Sequence, residues 1–135
     1  RMPHPNPASG ASGHDPVLPG SRRVELQRAM TAGTGVVRTA GSLASTAATL
    51  AALSGEAQAA SATPGPGGWE TTNLLQLGQA LTAVATLREE TRGGHVRLDF
   101  PDRDDRRWNG HLRCRRSASG TLVTSYQTTP VQDLT

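Results

Sequence analysis

Apolar positions recur at helical spacing in three separate stretches of the chain. Leu26, Met30, Gly33 and Val37 form the first series, Leu43, Ala47, Leu50 and Leu53 the second, and Leu74, Leu77, Leu81, Val84 and Leu87 the third. Ser21 is a reasonable N-cap for the first helix, and Gly33 and Gly35 predict a break before the second, which runs from about Val36 or Thr39 to Gln58. The glycines and prolines of 59–68 predict a loop, and the third helix is expected from about Trp69 to Arg92, with Glu70 near its positive end. Three such helices with short connections pack most simply as an up-down-up bundle.

Beyond Arg92 the pattern changes. Gly93 can take the left-handed conformation that closes a helix. His95, Arg97 and Asp99 then alternate with Val96, Leu98 and Phe100, so an extended backbone would turn the apolar three inward and the polar three outward. Pro101 ends that run. Asp102 is placed to cap a short helix through Trp108, with Asp104 and Asp105 in its first turn. Segments 111–116 and 121–127, separated by Ser-Ala-Ser-Gly, predict a hairpin in which Leu112 and Cys114 share a face, and Pro130 should end the pairing. The fold expected is mainly α: a three-helix bundle with a short extra helix and a C-terminal β-hairpin. Residues 1–20 are expected to be an extended linker, 21–110 the helical domain, and 111–135 the hairpin and tail. Trp69 and Trp108 are expected to be buried anchors.

Composition narrows the function. At 135 residues the chain accommodates one small domain and is too short for two full-sized domains, so it reads as a fragment or module. No lysine occurs, and positive charge comes from arginine, interleaved with Asp and Glu to a net +3. No basic stripe forms and only four aromatic side chains occur, which argues against nucleic-acid binding. Cys114 is alone, so an intrachain disulfide is impossible. No apolar run approaches the ~20 residues of a membrane helix and nothing resembles a signal peptide, so a cytoplasmic location without membrane association is the expectation.

Candidate chemistry is sparse. His4 and His14 lack metal-ligand spacing. Asp99, Asp102, Asp104 and Asp105 do not make a calcium loop, because Arg106 and Arg107 follow and the required glycine and terminal glutamate are missing; helix capping and surface pairing account for them better. His95 near Glu89, Glu90 or Asp99 could form an acid–base pair, but no nucleophile with a matching motif accompanies it. Gly93-Gly94 and Gly65-x-Gly67-Gly68 lack the strand and lysine of a phosphate loop.

One dense motif remains. Arg88, Glu90, Arg92, Gly93, His95, Arg97, Asp99, Pro101, Arg103, Asp104, Asp105 and Trp108 stand at fixed spacing, with Thr91 where a Ser is usual. This resembles the C-terminal helical domain of the L-aspartate oxidase and succinate dehydrogenase/fumarate reductase flavoprotein superfamily, and the likeness extends upstream through Leu26–Met30 and Gly35–Arg38. The resemblance implies a parent chain that binds FAD, with flavin-binding and capping domains as partners and no FAD site or catalytic residue in this segment. It implies that Arg92, His95, Arg97 and Asp99 are interdomain contacts. The short tail after Trp108 favours the oxidase, which converts L-aspartate to iminoaspartate for NAD biosynthesis, over the respiratory flavoproteins. A free-standing helical interaction module is the alternative from another class. Separated from its partners, such a domain would expose apolar surface and could self-associate.

Overall fold

The computed structural model describes residues 16–60 and 65–129. Residues 1–15 of the linker expected at 1–20, with His4 and His14, part of the loop at 61–64, and Pro130 with the tail lie outside the described residues. Within them the domain is mainly α: three substantial helices, a short fourth and a terminal antiparallel hairpin.

A 3-10 turn, Gly20–Arg22, leads into α1, Arg23–Gly33. No side chain caps this start, so Ser21 does not play the role expected of it. Two residues of strand follow, β1 at Val37–Arg38, and then α2, Ala40–Ala59. Thr39 caps α2 with a reciprocal pair: its hydroxyl accepts the Ser42 N–H and the Ser42 hydroxyl accepts the Thr39 N–H, each at 3.0 Å. The α1–α2 crossing is tight because Gly33 lacks a side chain; a Cβ there would fall 2.0 Å from Thr46 Oγ1 and 2.5 Å from the Ser42 carbonyl oxygen.

The third helix, α3, runs Pro66–Leu87. It begins three residues before the expected Trp69 because Pro66 suits the first helical turn, where its missing N–H costs nothing. It ends five residues before Arg92, and its C-terminus is closed by a side chain from far along the chain, described below. Its buried seam is Thr71, Leu75, Gly78, Thr82 and Ala85. The expected face is therefore rotated: Leu77 is 61% exposed, Leu81 55% and Leu87 43%. Small and hydroxyl-bearing residues win the seam because they let the helices approach closely, and their hydroxyls are satisfied. Thr71 donates to the Gly67 carbonyl at 2.7 Å, and Thr34 and Thr82 hydroxyls pair at 3.2 Å. A Cβ on Gly78 would stand 3.1 Å from Met30 Sδ.

The core is Leu18, Leu26, Leu50, Leu53, Ala57 and Leu75, with Met30 and Leu74 packed against it. Val17 and Leu18 fall within the linker expected at 1–20, yet both are buried, because two adjacent apolar side chains pack onto the helices, and Leu18 is anchored by its N–H to Thr72 Oγ1 at 2.9 Å. Trp69 is not an anchor: it is 55% exposed, in the first turns of α3 and off the buried seam. Trp108 is half-buried, edge-on to Tyr126 with ring centroids 5.6 Å apart.

After α3 come β2, Val96–Arg97, which pairs in parallel with β1, then α4, Asp105–Trp108, and the hairpin of β3, Gly110–Arg116, with β4, Leu122–Thr128. The hairpin register sets Leu112 opposite Tyr126 and Cys114 opposite Thr124, and Leu112 and Cys114 are the less exposed positions of β3, as the alternation predicts.

Candidate functional site

The segment that follows α3 folds into a knot of guanidiniums, carboxylates and backbone groups. Gly93 and Gly94 form a tight two-residue turn rather than a helix end: the Arg92 N–H donates to the His95 carbonyl at 2.8 Å, the His95 N–H returns to the Arg92 carbonyl at 3.0 Å, and Gly93 has φ +55°. The alternation expected from His95 to Phe100 is reversed in its central positions. Arg97 is 2% exposed and Leu98 63% exposed. The strand is only two residues long and folds back at once, with the Phe100 N–H donating to the Arg97 carbonyl at 3.1 Å, so no sustained pleat exists to sort the faces.

Arg97 closes α3. Its Nη1 donates to the carbonyls of Ala85, Thr86 and Arg88 at 3.0, 3.2 and 3.2 Å, which supplies acceptor-rich helix-end groups with the donors they lack. Its remaining edge meets Asp99 through two parallel bonds of 2.8 Å, and the guanidinium lies over the Phe100 ring. Asp99 also accepts the Ala40 N–H at 2.9 Å, so one carboxylate links the end of α3, through Arg97, to the beginning of α2. The Arg97 bonds and the helix N–H hold the Asp99 carboxyl far below the usual carboxylate range, and Asp99 in turn raises the Arg97 guanidinium.

Glu90, fully buried, is the second hub. It accepts from Arg88, from Arg92 Nε at 2.8 Å and Nη2 at 3.1 Å, and from the Asp104 N–H at 2.9 Å. Burial pushes its carboxyl up, but the bonds from Arg92, Asp104 and Arg88 together outweigh burial and hold it below its ordinary value. Arg92 continues to Asp105 Oδ1 at 2.6 Å, and Arg88 reaches the carbonyls of Trp108 at 3.1 Å and Gly110 at 2.8 Å, tying the knot to α4 and the hairpin. Asp104, not Asp102, caps α4, accepting the Arg107 N–H at 3.0 Å.

His95 stands between two groups. Its Nδ1 accepts from Arg38, and its Nε2 faces the Arg88 carbonyl oxygen at 3.0 Å, which fixes the neutral tautomer with the proton on Nε2. Burial lowers its pKa, the Arg88 carbonyl works against that, and the Arg38, Arg97 and Arg88 charges lower it further. None of Glu89, Glu90 or Asp99 bonds its ring, so the acid–base pairing considered from sequence does not form; Glu89 meets Arg107 at 3.3 Å instead.

The structure thus brings Arg92, His95, Arg97 and Asp99 into one knot, each held by contacts within the chain. Sequence reasoning missed Glu90 as a hub, although its placement two residues from both Arg88 and Arg92 was a usable signal. It also missed Arg38, which carries no local signal and acquires its role only through the β1–β2 pairing.

The family model described as "Fumarate reductase flavoprotein C-term" matches residues 23–134, and the chain belongs to this C-terminal domain family of the succinate dehydrogenase, fumarate reductase and L-aspartate oxidase flavoproteins. Among individual relatives, L-aspartate oxidase of Streptomyces coelicolor is 43% identical over 138 residues, covering 96% of this chain and 24% of that protein. A fumarate reductase flavoprotein subunit of Mycobacterium tuberculosis is 39% identical over 57 residues, covering 42% of this chain and 10% of that protein. In three dimensions the chain is similar to Mycobacterium smegmatis Sdh1, solved in complex with UQ1, with a TM-score of 0.70 at 27% identity over 84% of this chain and 21% of that one. Escherichia coli quinol fumarate reductase FrdA, carrying an E245Q mutation, gives a TM-score of 0.68 at 26% identity over 87% of this chain and 22% of that one. The chain therefore spans about a quarter of the length of the first of these relatives. Among the described residues no helix is long and apolar enough to cross a membrane.

Proposed function

We propose that the chain is the C-terminal domain of an FAD-dependent L-aspartate oxidase, supporting the flavin-binding and capping domains of a longer polypeptide in which L-aspartate is oxidised to iminoaspartate for NAD biosynthesis. The supporting observation is the extent of likeness: 43% identity to an L-aspartate oxidase over 96% of the chain, against 39% identity to a fumarate reductase flavoprotein subunit over 42% of it. In this reading Arg92 and His95, both partly exposed, face the other domains, while Arg97 and Asp99 shape the surface that they share. A respiratory flavoprotein is the second reading, supported by the likeness to Sdh1 and FrdA in three dimensions.

The described residues do not themselves fit a flavin dinucleotide. A pyrophosphate would need a glycine-rich turn between a strand and a helix N-terminus. The one place where a strand leads directly into a long helix, β1 into α2, already has its first N–H groups taken by Asp99, Thr39 and Ser42. No chemical step is therefore assigned to this chain's side chains. The test is substrate choice by the full-length flavoprotein: L-aspartate should be converted to iminoaspartate while succinate is left untouched. Conversion of succinate to fumarate with L-aspartate inert would move the domain to the respiratory reading.

A further inference from the structure

A cleft of about 310 Å³ opens between α3, the chain around β1 and the first residues of β3, lined in part by Arg38, Leu81, Arg88, His95, His111 and Leu112. We propose that this cleft is a carboxylate-binding site anchored by the Arg38 guanidinium.

Arg38 differs from the other guanidiniums of the knot. Arg88 and Arg92 meet Glu90, and Arg97 meets Asp99. Arg38 has no carboxylate partner among the described residues. Its Nε donates to the Gly35 carbonyl and its Nη1 to His95 Nδ1, which fixes the orientation of the planar fork, while Nη2 has no acceptor among the described residues. An oriented guanidinium with an open terminal nitrogen is prepared for an anion, since the rotamer entropy of a long side chain has already been lost.

Charge selects an anion. Glu90 and Asp99 offset only part of the charge of Arg88, Arg92 and Arg97, His95 is held as the neutral ring between Arg38 and the Arg88 carbonyl, and no acidic side chain lines the cleft, so the wall that Arg38 and Arg88 share is net cationic. A carboxylate meets that charge and brings an aliphatic part that a free phosphate lacks. The uncompensated field is felt inside the protein as well: burial first, and then repulsion from Arg97, lower the Arg38 pKa. His111 adds a further polar group to the wall. Leu81, more than half exposed, and Leu112 supply an apolar side against which the aliphatic part of an acid can rest.

The test uses the 135-residue chain with acetate as the probe, followed by NMR at the His95 ring and the Arg38 side-chain N–H, with sodium chloride at matched ionic strength as the control. Acetate should produce a saturable shift at both groups and raise the His95 titration midpoint, because a bound carboxylate offsets the charges that oppose its protonation. Arg38→Gln should lose the response while Arg28→Gln keeps it. Leu81→Glu, which places a tethered carboxylate at the rim and does not touch the buried seam, should also abolish the response to added acetate. N-acetyl-leucyl-glutamyl amide separates two sources of the same chemistry. Tighter binding than acetate points to a side-chain carboxylate of a neighbouring protein segment, and equal binding points to a free small acid. Equal shifts with chloride, or a full acetate response in either Arg38→Gln or Leu81→Glu, would overturn the site.

Discussion

The Asp104 N–H donates to Glu90 Oε2 at 2.9 Å, so a fully buried carboxylate holds the N-cap residue of α4 against the end of α3. Through this bond the order of α4 and of Trp108 depends on a residue fourteen positions earlier. Glu90→Ala leaves that N–H, Arg88 and part of Arg92 without their acceptor, and should lower stability by about 3 kcal/mol. Glu90→Gln keeps the shape and one acceptor and should lie between the two. Urea unfolding of the three chains checks this order; an unaffected midpoint in Glu90→Ala would remove Glu90 from the role of hub.

Gly33→Ala should be costly for a steric reason. The added methyl would meet Thr46 Oγ1 at 2.0 Å and the Ser42 carbonyl at 2.5 Å, and the second of these is backbone that cannot swing aside. Overpacking of this kind costs about 1–3 kcal/mol, more than the helix-propensity gain of about 1 kcal/mol can offset at the upper end. Gly55→Ala, where a Cβ would meet nothing within 4 Å, should instead be neutral or stabilising. Thermal unfolding of both variants reads the difference.

The two tryptophans should behave unequally. Trp108→Ala removes the edge-on contact with Tyr126 and a face near Arg88 and Arg107, and should cost about 2 kcal/mol, less than a fully enclosed aromatic. Trp69→Ala, at an exposed position, should stay within about 0.5 kcal/mol of the parent chain. Trp108→Phe should be tolerated better than Trp108→Ala, since Trp108 Nε1 is buried without a partner among the described residues.

Stability should fall with acid in two ranges. His95 is held below its ordinary value of 6.5, so as pH drops through 6.5 the unfolded chain takes up a proton that the folded chain refuses, and stability declines until the lower folded value is passed. Glu90 and Asp99 are also depressed; their contribution is complete above the ordinary carboxylate range of about 4 and is lost as pH falls through their folded values. His95→Gln should flatten the upper range and leave the lower one. Denaturation midpoints from pH 8 to 3 separate the two.

Much of the fold is legible locally. Leu43, Leu50 and Leu53 mark the buried side of α2, and the alternation of Leu112 and Cys114 marks the hairpin. The errors have a common origin in contacts between distant residues. α3 could read as continuing to Arg92 because Arg97, which closes it at Leu87, comes ten residues later. An apolar count places its seam on the wrong face because Thr71, Gly78 and Thr82 are buried for close approach and satisfied hydroxyls, which such a count does not register. Arg97 itself looks like a surface residue until the carbonyls of α3 and Asp99 are placed around it. The motif's residues were visible in the sequence, whereas their bonding, and the part taken by Arg38, depend on the β1–β2 pairing.

The supporting role proposed for this domain is tested most directly by Arg92→Lys in the full-length flavoprotein. Arg92 bridges Glu90 and Asp105 with a fork that Lys cannot reproduce, and it lies on the partly exposed side of the knot. The rate of FAD dissociation, the thermal midpoint and the turnover of L-aspartate per bound flavin are measured together. Faster FAD loss and a lower midpoint with turnover per flavin unchanged are the predicted result. Unchanged retention and stability with a large loss of turnover would contradict it and place Arg92 in the chemistry.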